Sequence, residues 1–182
     1  AIVRVFNLTA ASTGLSERAA KLNNQKFNAL HITGKDHAGY YPGATNLTLK
    51  LIFNPDNGQI LGAQALGEKG VDKRIDIIAT AIKGNLTIYD LPELEFTYAP
   101  PFGSAKDPVN MIGYAAINVA EGLSHTVAWH ELNSHLENGA QVLDVRSMDE
   151  LALGQYKNAI HIPVNDLRDR MNELNPNQPY II

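Results

Sequence analysis

The chain contains no cysteine. That excludes a disulfide, a thiolate metal site and a thiol nucleophile anywhere in its 182 residues. The absence fits a reducing compartment, and a cytoplasmic location is the expectation. No basic stripe is present either. Fifteen Lys and Arg are mixed with nineteen Asp and Glu, for a formal net charge of −4, which argues against nucleic acid as a partner. No apolar run approaches the roughly 20 residues that a membrane span needs, so no membrane segment is expected. A secretory leader pattern, an internal repeat and a low-complexity tract are all missing. Three Asn-x-Thr triplets, at Asn7, Asn46 and Asn85, are therefore read as unmodified. What remains is 45% hydrophobic and 19% charged, the balance of a globular chain with a packed core.

The hydrophobic pattern places the elements. Ala1 to Phe6 alternates as a strand already under way, which Thr13-Gly14 breaks. Ser16 is placed to cap a short helix, Glu17 to Leu22. Phe27 to Thr33 reads as a strand and Gly34 to Ala44 as a loop. Leu47, Leu49, Leu51 and Phe53 then alternate up to Pro55-Asp56-Asn57-Gly58, a turn that sends Gln59 to Leu66 back as the partner strand. Gly62, Ala63 and Ala65 on that strand call for a close neighbour on one face. Val71, Ile75, Ile78 and Ile82 fall at helical spacing, and Gly84 stops the helix. Leu91 to Leu94 is a turn and Glu95 to Tyr98 a strand. Two prolines make Ala99 to Gly103 extended or turned. Asp107-Pro108 opens a helix that runs to about Glu121.

Residues 124–128 read as a linker. Beyond it short helices alternate with strands at Gln141 to Val145, Ala159 to Ile162 and Tyr180 to Ile182, the signature of a parallel sheet. Both ends of the chain have strand character, so the expectation is an internal piece of a longer protein.

Two segments carry most of the chemical interest. One is Asp36-His37-Ala38-Gly39-Tyr40-Tyr41-Pro42-Gly43; the other runs from Tyr98-Ala99-Pro100-Pro101-Phe102-Gly103 to Asn110. Each sets a phenol among glycines and prolines that hold an irregular backbone. A phenol stays neutral at pH 7 and donates one hydrogen bond, which suits a thiolate or a sulfur leaving group. On the residues alone, Tyr40, Tyr41 and Tyr98 read first as ordinary amphipathic packing side chains, ahead of any role at a sulfur.

Both segments, with Gly67-Glu68-Lys69-Gly70-Val71-Asp72-Lys73-Arg74-Ile75-Asp76 between them, resemble the dimerisation domain of coenzyme A disulfide reductases, which are pyridine nucleotide-disulfide oxidoreductases. Thr13-Gly14-Leu15-Ser16-Glu17 and Leu61-Gly62-Ala63-Gln64 extend the likeness over residues 1–123. The resemblance implies an α+β domain, mostly antiparallel sheet with helices on one face. It implies a homodimer whose FAD and NAD(P)H sites and single redox cysteine lie in preceding domains, with coenzyme A disulfide or a persulfide as substrate. It also implies that Tyr40 (with Tyr41 as fallback) and Tyr98 reach the partner subunit's active site. Pro100, Pro101 and Phe102 would lie near the partner's flavin. No cofactor is expected on this stretch alone.

Residues 129–182 resemble the first half of a rhodanese domain, an incomplete α/β unit. The likeness rests on Val142-Leu143-Asp144-Val145-Arg146-Ser147-Met148-Asp149-Glu150, Gly154 and Asn158-Ala159-Ile160-His161-Ile162-Pro163. Rhodaneses carry sulfane sulfur on a cysteine expected beyond a strand like Tyr180-Ile181-Ile182. Asp144 and Arg146 are read as a strand end tied by a charge-assisted hydrogen bond, and Glu150 and His161 as structural. The implied parent is a reductase that handles coenzyme A disulfide or persulfides. A non-catalytic homodimerisation module and a parent that is chiefly a sulfurtransferase are the alternatives.

Other signals are set aside. Gly62 to Lys69 lacks the lysine and hydroxyl order of a phosphate loop. His125, His130 and His135, five apart, would point about 140° away from one another on a helix, so no metal site is expected. Lys69, Lys73 and Arg74 are read as a solvated helix face or a dimer contact rather than a coenzyme A phosphate site.

Overall fold

A computed structural model describes all 182 residues. They form two compact units, Ala1–Thr126 and Val127–Ile182. The first contains β1 (Ile2–Val5), β2 (Leu8–Gly14), α1 (Glu17–Leu22), β3 (Asn28–Lys35), β4 (Asn46–Phe53), β5 (Ile60–Gly67) and α2 (Val71–Lys83). A 3-10 turn at Leu91–Glu93 and α3 (Pro108–Ala120) complete it. The strands make one antiparallel sheet in the order β1-β2-β5-β4-β3.

Period-two patterning drives the packing. Leu47, Leu49, Leu51 and Phe53 of β4 are fully buried and share a cluster with Val71, Ile75 and Ile78 of α2 and Val109, Ile112 and Ala116 of α3. Ala63 and Ala65 of β5 pair with Leu51 and Leu49 and lie on the same buried side, so α2 and α3 cover one face. Thr48 and Lys50 alternate onto the other face, where Lys50 pairs with Glu17 of α1 at 2.5 Å. The small residues of β5 do not share one neighbour: a Cβ on Gly62 would collide with the backbone of Leu15, whereas Ala63 and Ala65 face the helices.

Caps form where the sequence places them. Ser16 Oγ accepts the Ala19 amide at 3.2 Å. Asp107 caps α3 by accepting the Val109 amide at 3.0 Å, and Asn110 accepts the Asp107 amide at 2.9 Å, a reciprocal capping box. The β4–β5 turn closes with Gly58 at φ 71°.

Two expectations need correction. The first strand does not run to Gly14; it folds back at Phe6-Asn7, so β1 and β2 are a hairpin paired from Val5↔Leu8 to Ile2↔Ala11. Phe6 takes the turn with φ 53°, a conformation that no glycine or asparagine at that position announced. Glu95 to Tyr98 is not a strand: it passes outside the sheet with no ladder partner.

The second unit holds α4 (Leu132–Glu137), β6 (Gln141–Asp144), α5 (Met148–Leu151), β7 (Ile160–His161), α6 (Val164–Arg170), a 3-10 turn at Met171–Glu173 and β8 (Tyr180–Ile181). Its sheet is parallel, in the order β7-β6-β8. Leu143 and Ile162 are its fully enclosed apolar side chains, so its own core is small.

Candidate functional site

The loop from β3 to β4 is tied at its neck. The Asp36 amide donates to the Thr45 carbonyl at 3.0 Å, and the Asp36 carboxylate accepts the Thr45 amide at 2.5 Å and its hydroxyl at 3.1 Å. The same carboxylate meets His37 Nδ1 at 2.7 Å. Burial opposes ionisation of Asp36, but the bonds from the Thr45 amide and from His37 outweigh it and hold the pKa below its usual value. Further along, a backbone bond of 2.8 Å from Tyr41 N–H to the Ala38 carbonyl makes the tight turn that presents Tyr40. Lys69 donates to the Gly43 carbonyl at 3.1 Å on the far side of the loop.

The second segment meets the first. The Ala38 amide donates to the Pro100 carbonyl at 3.3 Å, and the Phe102 and Gly103 amides both return to the Ala99 carbonyl, at 2.9 and 3.2 Å. The Pro-Pro hook thus carries its own backbone bonds and still offers a carbonyl to the neighbouring loop.

Arg74 fixes both segments from below. Its guanidinium is buried, which corrects the expectation of a solvated helix face or dimer contact. Nε and Nη2 donate to the Asp107 carboxylate at 3.2 and 2.7 Å, and Nη2 also donates to the Asp36 carbonyl at 2.8 Å. One side chain of α2 therefore binds the start of the first loop and the residue that ends the second. Gly70 precedes α2 at φ 70°, and a Cβ there would run into Arg74 Nη1. Lys69 and Lys73, in contrast, remain outside this network apart from the Lys69 bond to Gly43.

The result is a pair of phenols. The hydroxyls of Tyr40 and Tyr98 lie 2.9 Å apart, although 58 positions separate them in sequence. Tyr40 is 77% exposed and Tyr98 49%. The bond to Tyr40, aided by some loss of solvation, raises the pKa of Tyr98, so Tyr98 stays neutral at ordinary pH. In an O–H···O–H pair one phenol donates to the other, and the acceptor keeps a polarised proton for a third atom. Tyr41 does something different: its ring stands edge-on to His37, centroids 5.8 Å apart. Pro100, Pro101 and Phe102 sit beside the pair in the chain, with Phe102 exposed. They offer apolar surface and backbone carbonyls but no charged side chain.

Sequence reading found the two tyrosines and missed what holds them. Arg74 stands 38 positions from Asp36 and 33 from Asp107, too far for a local motif to show those contacts. The cap at Asp107 was the one local sign that this carboxylate is enclosed.

Comparison with known proteins then identifies the fold family. Residues 1–110 match the model of the pyridine nucleotide-disulphide oxidoreductase dimerisation domain. The chain belongs to that family. A coenzyme A disulfide reductase from Staphylococcus haemolyticus is 44% identical over 115 residues, 63% of this chain and 26% of the relative. The solved structure of reduced Bacillus anthracis CoADR-RHD is 52% identical, with a TM-score of 0.95 over 99% of this chain and 32% of that one. A NAD-dependent persulfide reductase from A. fulgidus is 37% identical, with a TM-score of 0.90 over 99% of this chain and 32% of that one. The chain thus spans about a quarter to a third of the length of these relatives.

In the second unit the Asp144–Arg146 tie forms as expected. Arg146 Nε and Nη2 donate to the two Asp144 oxygens at 2.9 and 2.7 Å, and Nη2 also reaches the Gly154 carbonyl at 2.8 Å. That side-chain bond leads the causes that bring the Asp144 pKa down from 3.8 to about 2. Glu150 completes a capping box with Ser147, and His161 Nε2 bonds the Arg146 carbonyl at 2.8 Å. All four groups are engaged in holding backbone. No three His, Asp or Glu side chains converge as a metal site.

Proposed function

We propose that this chain is part of a flavin-dependent reductase that uses NAD(P)H to reduce coenzyme A disulfide or coenzyme A and protein persulfides. In this reading residues 1–123 make the homodimer and lend Tyr40 and Tyr98 to the partner subunit's active site. Residues 124–128 link them to the first half of a rhodanese-like domain, residues 129–182. The names of the three relatives, and a likeness to two of them that covers 99% of the chain, support it.

The observation that carries the reading is the exposed phenol pair, 2.9 Å apart, on a buried and fully hydrogen-bonded footing. Side chains that served only to pack this unit would be enclosed by it. These two face outward on loops held by Arg74, Asp107 and Asp36. Preorganised donors of this kind stabilise charge that develops as a sulfur atom leaves, and their placement costs no rearrangement during the reaction.

The Tyr40–Tyr98 pair binds and orients a departing sulfur by donating one O–H to it, and Tyr98, whose raised pKa keeps it protonated, acts as a hydrogen-bond donor. Pro100, Pro101 and Phe102 fit an apolar edge against a flavin ring and nothing more, since they carry no group for a phosphate. The chemistry that FAD supplies when bound is passage of an electron pair from NAD(P)H to a disulfide. The two residues that would exclude water at that edge are Phe102 and Pro101.

The test is turnover of the full-length protein containing this chain, with coenzyme A disulfide and with a persulfide. Tyr98→Phe and Tyr40→Phe should each lower kcat; unchanged kcat in both contradicts the reading. A second, sulfurtransferase reading draws on the parallel sheet and the Asp144–Arg146 tie of the second unit. Thiosulfate-to-cyanide transfer by the full-length protein at a rate above its reductase turnover would favour it.

A further inference from the structure

We infer that His37 is a positioning residue for Tyr40, acting with Asp36 to fix the loop that presents the phenol. The inference rests on the tyrosine reading above and adds a residue to it.

Its basis is the inside of the loop. His37 is 7% exposed and lies between two acceptors. Nδ1 is 2.7 Å from Asp36 Oδ2, and Nε2 is 3.4 Å from the Pro42 carbonyl. A carboxylate and a carbonyl can only accept, so both contacts are hydrogen bonds when both ring nitrogens carry hydrogen. In that doubly protonated form the imidazolium spans the loop from its neck at Asp36 to its far shoulder at Pro42. The Ala38–Tyr41 turn, with Tyr40 inside it, is enclosed by this brace. The Tyr41 ring stands edge-on to the imidazole from the other side.

Nothing else performs this task. Asp36 is held by Thr45 and by Arg74, but those bonds close the neck only. The Lys69 bond reaches Gly43, past the shoulder. Between neck and shoulder, the side chain that crosses the loop is His37. Without it the Ala38–Tyr41 turn keeps one backbone bond and the link to Pro100, and Tyr40 loses its fixed distance to Tyr98. A displacement of about 1 Å at such a group is enough to cost a large factor in rate.

The experiment is a double-mutant cycle in the full-length reductase, following kcat and KM for the disulfide or persulfide. His37→Ala should lower kcat about tenfold with little change in KM for NAD(P)H. The His37→Ala/Tyr40→Phe double variant should be no slower than Tyr40→Phe alone, because His37 acts only through that phenol. His37→Asn keeps a donor toward Asp36 and His37→Gln a donor toward Pro42, and each should recover part of the loss. Where His37→Ala does not fold, the same cycle is run with the Asn and Gln variants. Losses that multiply in the double variants overturn the inference, as does full kcat for His37→Ala beside a slow Tyr40→Phe. A Tyr40→Phe enzyme at full turnover removes the tyrosine reading itself, and this inference with it.

Discussion

Arg74 and Asp107 form a bidentate ion pair with almost no solvent access, Nη2 to Oδ2 at 2.7 Å. The carboxylate has two duties, since Asp107 also caps α3. The guanidinium has three, since it also binds the Asp36 carbonyl through Nη2 and the Gly70 carbonyl through Nη1. Every polar atom of the pair is used, which is the condition under which a buried pair is tolerated.

Removing one partner leaves the other charged and enclosed. Arg74→Ala should therefore destabilise the first unit by about 3–5 kcal/mol. Asp107→Asn keeps a good cap but loses the charge, and should fall in the same range, whereas an exposed change such as Lys73→Ala should move stability by less than about 0.5 kcal/mol. Denaturant melts of the three variants check this. A small loss for Arg74→Ala would mean that the guanidinium is not the tie between the two loops.

Gly62 gives a second test of packing. A methyl group there would meet the Leu15 backbone, which cannot swing aside as a side chain would. Gly62→Ala should cost about 1–3 kcal/mol in the same melts. Gly122→Ala, where nothing lies within reach of the new Cβ, should lose less, its cost coming only from φ 73°.

The Asp144–Arg146 tie predicts an acid response. The Asp144 carboxyl titrates near 2 in the folded second unit instead of 3.8, because Arg146 binds the ionised form. A lowered folded pKa means stability that is present above about pH 4 and lost as the pH falls through 2. An NMR pH titration of Asp144 should show the depressed midpoint, and Arg146→Ala should return it toward 3.8. A midpoint that ignores Arg146→Ala contradicts the assignment.

Much of this architecture was legible in sequence, and the reason differs by element. β4 and β5 announce themselves because one face is buried and period-two alternation has to follow; their turn carries Asn57-Gly58. Ser16 and Asp107 were readable because a cap needs a side-chain oxygen at a set position. The β1–β2 hairpin was not, because Phe6 occupies a turn conformation usually taken by glycine or asparagine. Glu95 to Tyr98 alternates like a strand but finds no edge to join. The tyrosines could be named from sequence only through resemblance. That Arg74 lies beneath them was missed although its spacing carries a sign: three residues after Val71 and four before Ile78, it falls on the apolar face of α2.

The second unit should prove the weaker of the two. Its enclosed apolar side chains are Leu143 and Ile162, and its strands β7 and β8 pair through two residues each. So little buried surface does not offset the ordering of a chain this short. In hydrogen exchange, amides of β4 and β5 should be protected far longer than those of β6 to β8. Equal protection would mean that a further segment or a partner completes the smaller sheet.

The claim that one subunit's phenols serve the other subunit's sulfur site is tested most directly by mixing subunits. One full-length partner carries Tyr40→Phe and Tyr98→Phe and keeps the redox cysteine that the proposed reading places outside residues 1–182; the other carries both tyrosines and a Cys→Ser change at that position. If the phenols act across the interface, each mixed dimer holds one complete site, and turnover per mixed dimer should be about half of the wild-type value. If mixed dimers form and turnover stays at the level of the two parent homodimers, the phenols do not act across the interface.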